Sequence, residues 1–157
     1  MKSRKIIMAF LLFFFIFSTF DLYSQKSNVK ESIIGAILAE DLILLKEMFD
    51  KEVYISNGFE TQFSNENGYD GFIQKKGDLY KVLFNSIFAK DYFGIEKVQS
   101  FREVMKMIPK KGKFFENQKE GSAELVFQNK NLIYSITLLC SKKGNCKITV
   151  FSISEWH

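Results

Sequence analysis

The sequence predicts an α+β protein with N-terminal helices packed on a curled, mostly antiparallel sheet. Residues 123–153 read as three short strands with apolar residues at every second position. Residues 28–49 carry their apolar side chains at helical spacing instead.

The final hairpin follows from pairing. In Leu139 to Lys147, a three-residue Lys142-Lys143-Gly144 loop with Gly144 in the left-handed region sets Ser141 opposite Asn145, and therefore Cys140 opposite Cys146. Carrying this register on pairs Leu138 with Ile148, Ile136 with Val150 and Tyr134 with Ser152. Ser135, Thr137, Lys147 and Thr149 then share the other face. An even-length connection around Asn129-Lys130-Asn131 puts Ala123, Leu125 and Phe127 on the apolar face, whereas an odd one puts Glu124 there.

Met1 to Ser24 reads as an export segment. Lys2, Arg4 and Lys5 form a basic start, Ile6 to Phe17 is uninterruptedly apolar, and Ser24/Gln25 is the predicted cleavage point. The run falls short of the roughly 20 residues that span a bilayer. An uncleaved anchor is the competing reading, because Leu22 is larger than the usual residue three before a cut. No cysteine stands at Gln25, so a lipid anchor is not expected. The domain organisation is then a signal peptide over 1–24 and a single α+β domain over 25–157. That domain is long enough to bury about two thirds of its unfolded surface. Its net charge is +2. Such a balance by itself says nothing about partners; strong nucleic-acid binding shows a larger and clustered excess, so no nucleic-acid partner is expected, nor is membrane association once the signal is removed. The basic residues between Lys97 and Lys119, among them Arg102, Lys106, Lys110, Lys111 and Lys113, read as a solvated helix face and loop.

Asn28 is placed to cap a helix with Glu31 three residues on. Ile33, Ile34, Ile37 and Leu38, then Leu42, Leu45, Met48 and Phe49, fit two helices or one bent helix equally. Val53-Tyr54-Ile55 follows as a short strand into the turn at Asn57-Gly58. Asn65 to Gly71 lacks the alternating acidic positions of a calcium loop and reads as a plain turn. Asp78 is placed to cap a helix over 79–88 that groups Leu79, Val82, Leu83, Ile87 and Phe88 on one side. Ser100 caps a further helix carrying Val104, Met105 and Ile108 before Pro109. Pro109 to Gly121 reads as a loop or an edge strand.

From Ile34 to Gly58, the run IGAILAEDLILLKEMFDKEVYISNG resembles the opening of the nuclear transport factor 2-like superfamily, which includes ketosteroid-isomerase-like and polyketide-cyclase-like proteins. The likeness lies in a helix ending Ala39-Glu40-Asp41-Leu42, a second helix with Leu45 and Phe49, and a strand at Val53 to Ser56. It implies a cystatin-like α+β fold whose antiparallel strands curl into a cone around a pocket. In an ungapped comparison with ketosteroid isomerases, Asn57 falls where their aspartate base stands and Ile33 where their tyrosine stands. Asn57 takes no proton at neutral pH and Ile33 offers no hydrogen bond, so that chemistry is not expected here.

The remaining residues support no catalytic set. The one histidine, His157, has no neighbouring metal-ligand or nucleophile partner in the sequence, and no phosphate-binding glycine loop is present. Neither a metal site nor a cofactor is expected. Asp50 and Glu52 read as solvated carboxylates at a helix end. For Cys140 and Cys146 a structural cross-strand disulfide leads, ahead of two buried thiols and of a redox-active pair, because export implies an oxidising compartment. Twelve of the 18 phenylalanines survive removal of 1–24. With Tyr54, Tyr80, Tyr92 and Tyr134 they read first as core filling, and second as the lining of an apolar pocket.

The expectation is an extracytoplasmic, periplasmic or secreted, non-catalytic binding or interaction module. Its partner is a small apolar ligand or a protein, with a homodimer through the outer sheet face as a further option. The alternative is a pocket enzyme of isomerase or dehydratase type with an unrecognised acid–base pair. Mass analysis of the exported protein is expected to show a chain beginning at Gln25 that gains about two daltons on reduction. A retained Met1–Ser24 segment, or no gain in oxidised material, contradicts export or the disulfide respectively.

Overall fold

The computed structural model describes residues 29–57, 61–63, 68–107, 113–117, 121–142 and 144–155. The predicted signal segment with its expected Ser24/Gln25 cut, the proposed Asn28 cap and His157 lie outside them. Helix α1 (29–39) and helix α2 (Leu42–Met48) come first. They are two helices: residue 40 turns with φ +56° at Glu40, and the Asp41 carboxylate accepts from the Leu44 N–H at 3.1 Å to start α2. Ile33, Ile34, Ile37, Leu42 and Leu45 are buried, as their spacing predicts.

Strand β1 (Phe49–Ser56) begins directly at Phe49, longer than the expected 53–55, and holds Asp50 and Glu52 within the strand. Strand β2 (Thr61–Phe63) pairs back on it antiparallel. Helix α3 (Gly68–Ile73) occupies part of the stretch read as a plain turn. The helix expected over 79–88 is two helices, α4 (Gly77–Phe84) and α5 (Ser86–Phe93), divided at Asn85; Asp78 sits in the first turn of α4 rather than at its cap. Helix α6 (Phe101–Met107) starts where predicted, with the Ser100 hydroxyl accepting from the Glu103 N–H at 3.4 Å. Strand β3 (Lys113–Asn117) makes part of the region before Gly121 an edge strand.

Strands β4 (Ser122–Asn129), β5 (Leu132–Cys140) and β6 (Cys146–Glu155) complete an open sheet of order β2-β1-β6-β5-β4-β3. Four long strands, β1, β6, β5 and β4, make its centre. All pairs are antiparallel except β1 with β6, so the sheet is mixed and the class is α+β. The even connection is present: Asn129 pairs with Leu132, leaving Lys130 (φ +56°) and Asn131 as a two-residue turn. Gly121, at φ +63°, lets the chain pass close to Cys140, where an added Cβ would stand 3.1 Å from the Cys140 carbonyl oxygen.

The last hairpin closes as pairing predicts. The Ser141 N–H donates to Asn145 O at 2.8 Å, Gly144 has φ +83°, and Cys140 faces Cys146 in a disulfide with Cα atoms 4.0 Å apart. Beyond Leu138–Ile148 the expected register is wrong. Thr137 pairs with Val150, Ile136 with Phe151 and Tyr134 with Ile153, because Thr149 is an extra residue in β6. Its hydroxyl donates to the Thr137 carbonyl at 3.2 Å. The bulge reverses the phase of β6, so Phe151 and Ile153 point into the core in place of Val150 and Ser152. On the opposite face, the Ser135 and Ser152 hydroxyls meet at 2.6 Å.

The core lies between the inner sheet face and the helices. Phe151 packs edge-on against Phe101 of α6 (centroids 5.2 Å) and Phe49 of β1 (6.2 Å), and Phe101 packs on Tyr134 (5.4 Å). Phe151→Ala is expected to cost about 3–5 kcal/mol in chemical denaturation. Val150→Ala is expected to cost about 1 kcal/mol or less. The reverse order would contradict the bulged register.

Candidate functional site: a groove beside the β4–β5 turn

The groove starts from the break at Asn85. Its backbone N–H donates to Lys81 O at 2.7 Å, ending α4. Its side-chain oxygen accepts from the N–H groups of Ile87 (3.0 Å) and Phe88 (3.1 Å), starting α5. A continuous helix over 79–88 would have turned Ile87 toward the core; the new start rotates it out, and it is 76% exposed. Two residues on in α5, Ala89 is buried, and the next residue, Lys90, is exposed.

The connection from α5 to α6 is fastened to the sheet by buried polar contacts. The Ser86 hydroxyl accepts from the Ser100 N–H at 2.9 Å, and Ser100 is fully buried. The Tyr134 hydroxyl, at the inner face of β5, accepts from the Gln99 N–H at 2.9 Å. Burial pushes the Tyr134 phenol above its usual range. The Asn129 amide reaches the Gln99 side-chain oxygen at 3.5 Å. These contacts hold residues 95–100 beside the β4–β5 turn.

Between them lies an open cavity of about 490 Å³, within the range of about 300–1,000 Å³ usual for ligand sites. Buried Val98 and Leu132 are part of its lining, and Ser86, Gln99, Asn129 and Asn131 add hydroxyl and amide groups. Ile87 and Met107 also line it, two of the four exposed large apolar side chains among the described residues. Its charged lining is Lys90, Lys97, Lys130 and Glu96, all exposed. Aromatic content pointed the sequence reading to the inner sheet face; the groove instead depends on a helix break and a turn, which periodicity alone does not reveal.

A second polar cluster surrounds Glu40. Its carboxylate accepts from the Tyr80 hydroxyl at 2.8 Å, pairs with Lys75 at 2.7 Å, and pairs with Arg102 at 2.8 Å. The Lys75 and Tyr80 hydrogen bonds, opposed by burial and aided by the Lys75 and Arg102 charges, hold this carboxyl below its ordinary 4.5. Burial and the Glu40 hydrogen bond push Tyr80 up. Such a pair is unsuited to proton transfer near neutral pH, since the acid is held ionised and the phenol protonated. Arg102 also lies over the Phe84 ring at 5.9 Å, with its Nε buried and without a hydrogen-bond partner among the described residues. The cluster joins the end of α1, the α3–α4 connection, α4 and α6.

The other residues singled out by sequence are dispersed. Cys140 and Cys146 close the end of β5 opposite the groove, eight residues along the strand, or about 26 Å. Ile33 is core, and Asn57 is half-buried just past β1. Glu52 accepts from the Tyr54 hydroxyl at 2.7 Å, which raises the Tyr54 pKa. Of the basic stretch, Lys97 lines the groove, Arg102 joins Glu40, and Lys106 pairs with Glu103 at 2.7 Å. Among the described residues, no group of three or more His, Cys, Asp or Glu is placed to hold a metal ion. No helix among them is long and apolar enough to cross a membrane.

No family model and no curated protein matches this sequence. Among solved structures, it is similar to a DUF4783 family protein from Bacteroides uniformis ATCC 8492, at 12% identity and a TM-score of 0.39, over 81% of this chain and 96% of that one. A DUF4783 family protein from Bacteroides ovatus ATCC 8483 matches at 12% identity and a TM-score of 0.37, over 80% of this chain and 94% of that one.

The Glu40 cluster has a measurable pH signature. A carboxyl whose folded pKa is lowered contributes stability that is present above its unfolded value and is lost as pH falls through the folded value. Glu40→Gln is therefore expected to destabilise the protein by about 1–3 kcal/mol at neutral pH, because Arg102 loses its carboxylate. The difference from wild type should shrink below pH 4.5 in denaturation curves. A pH-independent difference would mean that the carboxylate charge is not what Glu40 contributes.

Proposed function

We propose that this protein is an exported, non-catalytic binding module of nuclear transport factor 2-like type that takes its ligand in the groove beside the β4–β5 turn. The groove's composition carries the reading: apolar side chains held exposed at Ile87 and Met107, next to amides and lysines. A folded chain does not gain by leaving two large apolar groups in water at one cavity, and a ligand that covers them recovers that cost.

The superfamily reading is supported by the element order, a helix pair leading into a strand, further helices, and then long antiparallel strands. Export is supported by the Cys140–Cys146 disulfide, a bond that persists in oxidising compartments. An isomerase-type activity requires an ionisable pair within a concave site. The groove lining holds one carboxylate, Glu96, and no tyrosine, histidine or cysteine, which favours binding over catalysis.

Anilinonaphthalene sulfonate, whose fluorescence rises in apolar surroundings, tests the site. The folded protein is expected to enhance its emission, and the Ile87→Ser/Met107→Ser double variant to lose most of that enhancement without a change in melting temperature. Undiminished emission from a folded double variant would remove the groove as the binding site.

A further inference from the structure

We propose that the groove's natural occupant is a short acidic peptide segment with apolar side chains set between its carboxylates. This rests on the groove being the ligand site. Three observations narrow the ligand. The lysines come from three separate places: Lys90 on α5, Lys97 in the α5–α6 connection and Lys130 in the β4–β5 turn. Cations spread in this way match several separated anionic groups better than one terminal headgroup, so a single-chain fatty acid is a poor fit.

None of the three ammonium groups has an ion-pair partner among the described residues, whereas Lys75, Lys81 and Lys106 each have one. Only Glu96 offsets them in the lining, which leaves a local excess of positive charge. That excess is available to a polyanionic ligand and steers its approach.

The amide groups of Gln99, Asn129 and Asn131 are both donors and acceptors, which is the chemistry of a peptide backbone. An alkyl chain has no use for them. Ile87 and Met107 supply apolar contact for the side chains between the carboxylates, and methionine adapts its shape to what it meets. A cavity of about 490 Å³ has room for a few residues and not for a folded domain.

Fluorescence anisotropy on the exported chain, with labelled peptides, tests this. The probes are Glu-Leu-Glu-Leu-Glu, its uncharged counterpart Gln-Leu-Gln-Leu-Gln and its polar counterpart Glu-Ser-Glu-Ser-Glu. The first is expected to bind, with affinity falling as salt rises. The other two should bind at least about tenfold more weakly. The triple variant Lys90→Glu/Lys97→Glu/Lys130→Glu should lose about tenfold or more with an unchanged melting temperature, since all three side chains are exposed. Equal binding of the three peptides, no binding of the first, or indifference to the triple variant overturns the proposal. Dye emission separates its failure from that of the groove itself. If the dye is lost in Ile87→Ser/Met107→Ser and is displaced by dodecanoate but not by Glu-Leu-Glu-Leu-Glu, the peptide is overturned and the groove stands. If the dye is indifferent to the double variant, both fall.

Discussion

The phase change in β6 is the constraint on which the packing depends. β6 is the longest of the described strands and lies between β1 and β5, pairing parallel with one and antiparallel with the other. Thr149 is the residue that lets Ile148 and Phe151 both face inward. Without it, Phe151 and Ile153 would leave the core and Val150 and Ser152 would enter. Burying a side chain such as Phe or Ile is worth about 1.5–3 kcal/mol, so the bulge wins over an unbroken ladder. The hydroxyl of Thr149 compensates by donating to the Thr137 carbonyl. Phe151 then joins helix and sheet, touching Phe101 and Phe49, while Phe101 covers Tyr134.

The helical layer is positioned by polar contacts at its turns. Glu40 ties the end of α1 to α4 and α6 through Tyr80 and Arg102, and Lys75 adds a more exposed, more strongly screened contact. Ser86 and Ser100 fasten the start of α5 to the start of α6. Tyr134 meets Gln99 from the sheet side. The apolar stripes of these helices face the core, yet the groove is made by what the stripes leave out: Ile87, turned outward at the Asn85 break, and Met107 at the end of α6. The groove-lining residues thus stand on an anchored framework, while the disulfide braces the far end of β5.

The legible part of the fold was local. The closure of Ser141 on Asn145, the Cys140–Cys146 pair, the Ser100 cap and the inward set Ala123, Leu125 and Phe127 each depend on residues a few positions apart. The misread parts have longer-range causes. Residues 146–153 can be read in two phases, and only Phe101 and Phe49 reward the one that buries Phe151. Leu79 to Phe88 matches one helix by period, but Asn85 captures the next two backbone N–H groups. The local pattern leaves Glu40 at a helix end with no stated role; its partners Tyr80 and Arg102 lie 40 and 62 residues away.

By itself the sequence determined the α+β class, the final hairpin with its cysteine pair, and most of the buried apolar set. Those features follow from alternation, turn chemistry and helical period, which act over a few residues. Tertiary contact alone settled the β6 register, the parallel β1–β6 pair, the Glu40 cluster and the groove. Each of these depends on which distant surfaces meet, because burial and ion pairing reward positions in space whatever their separation along the chain.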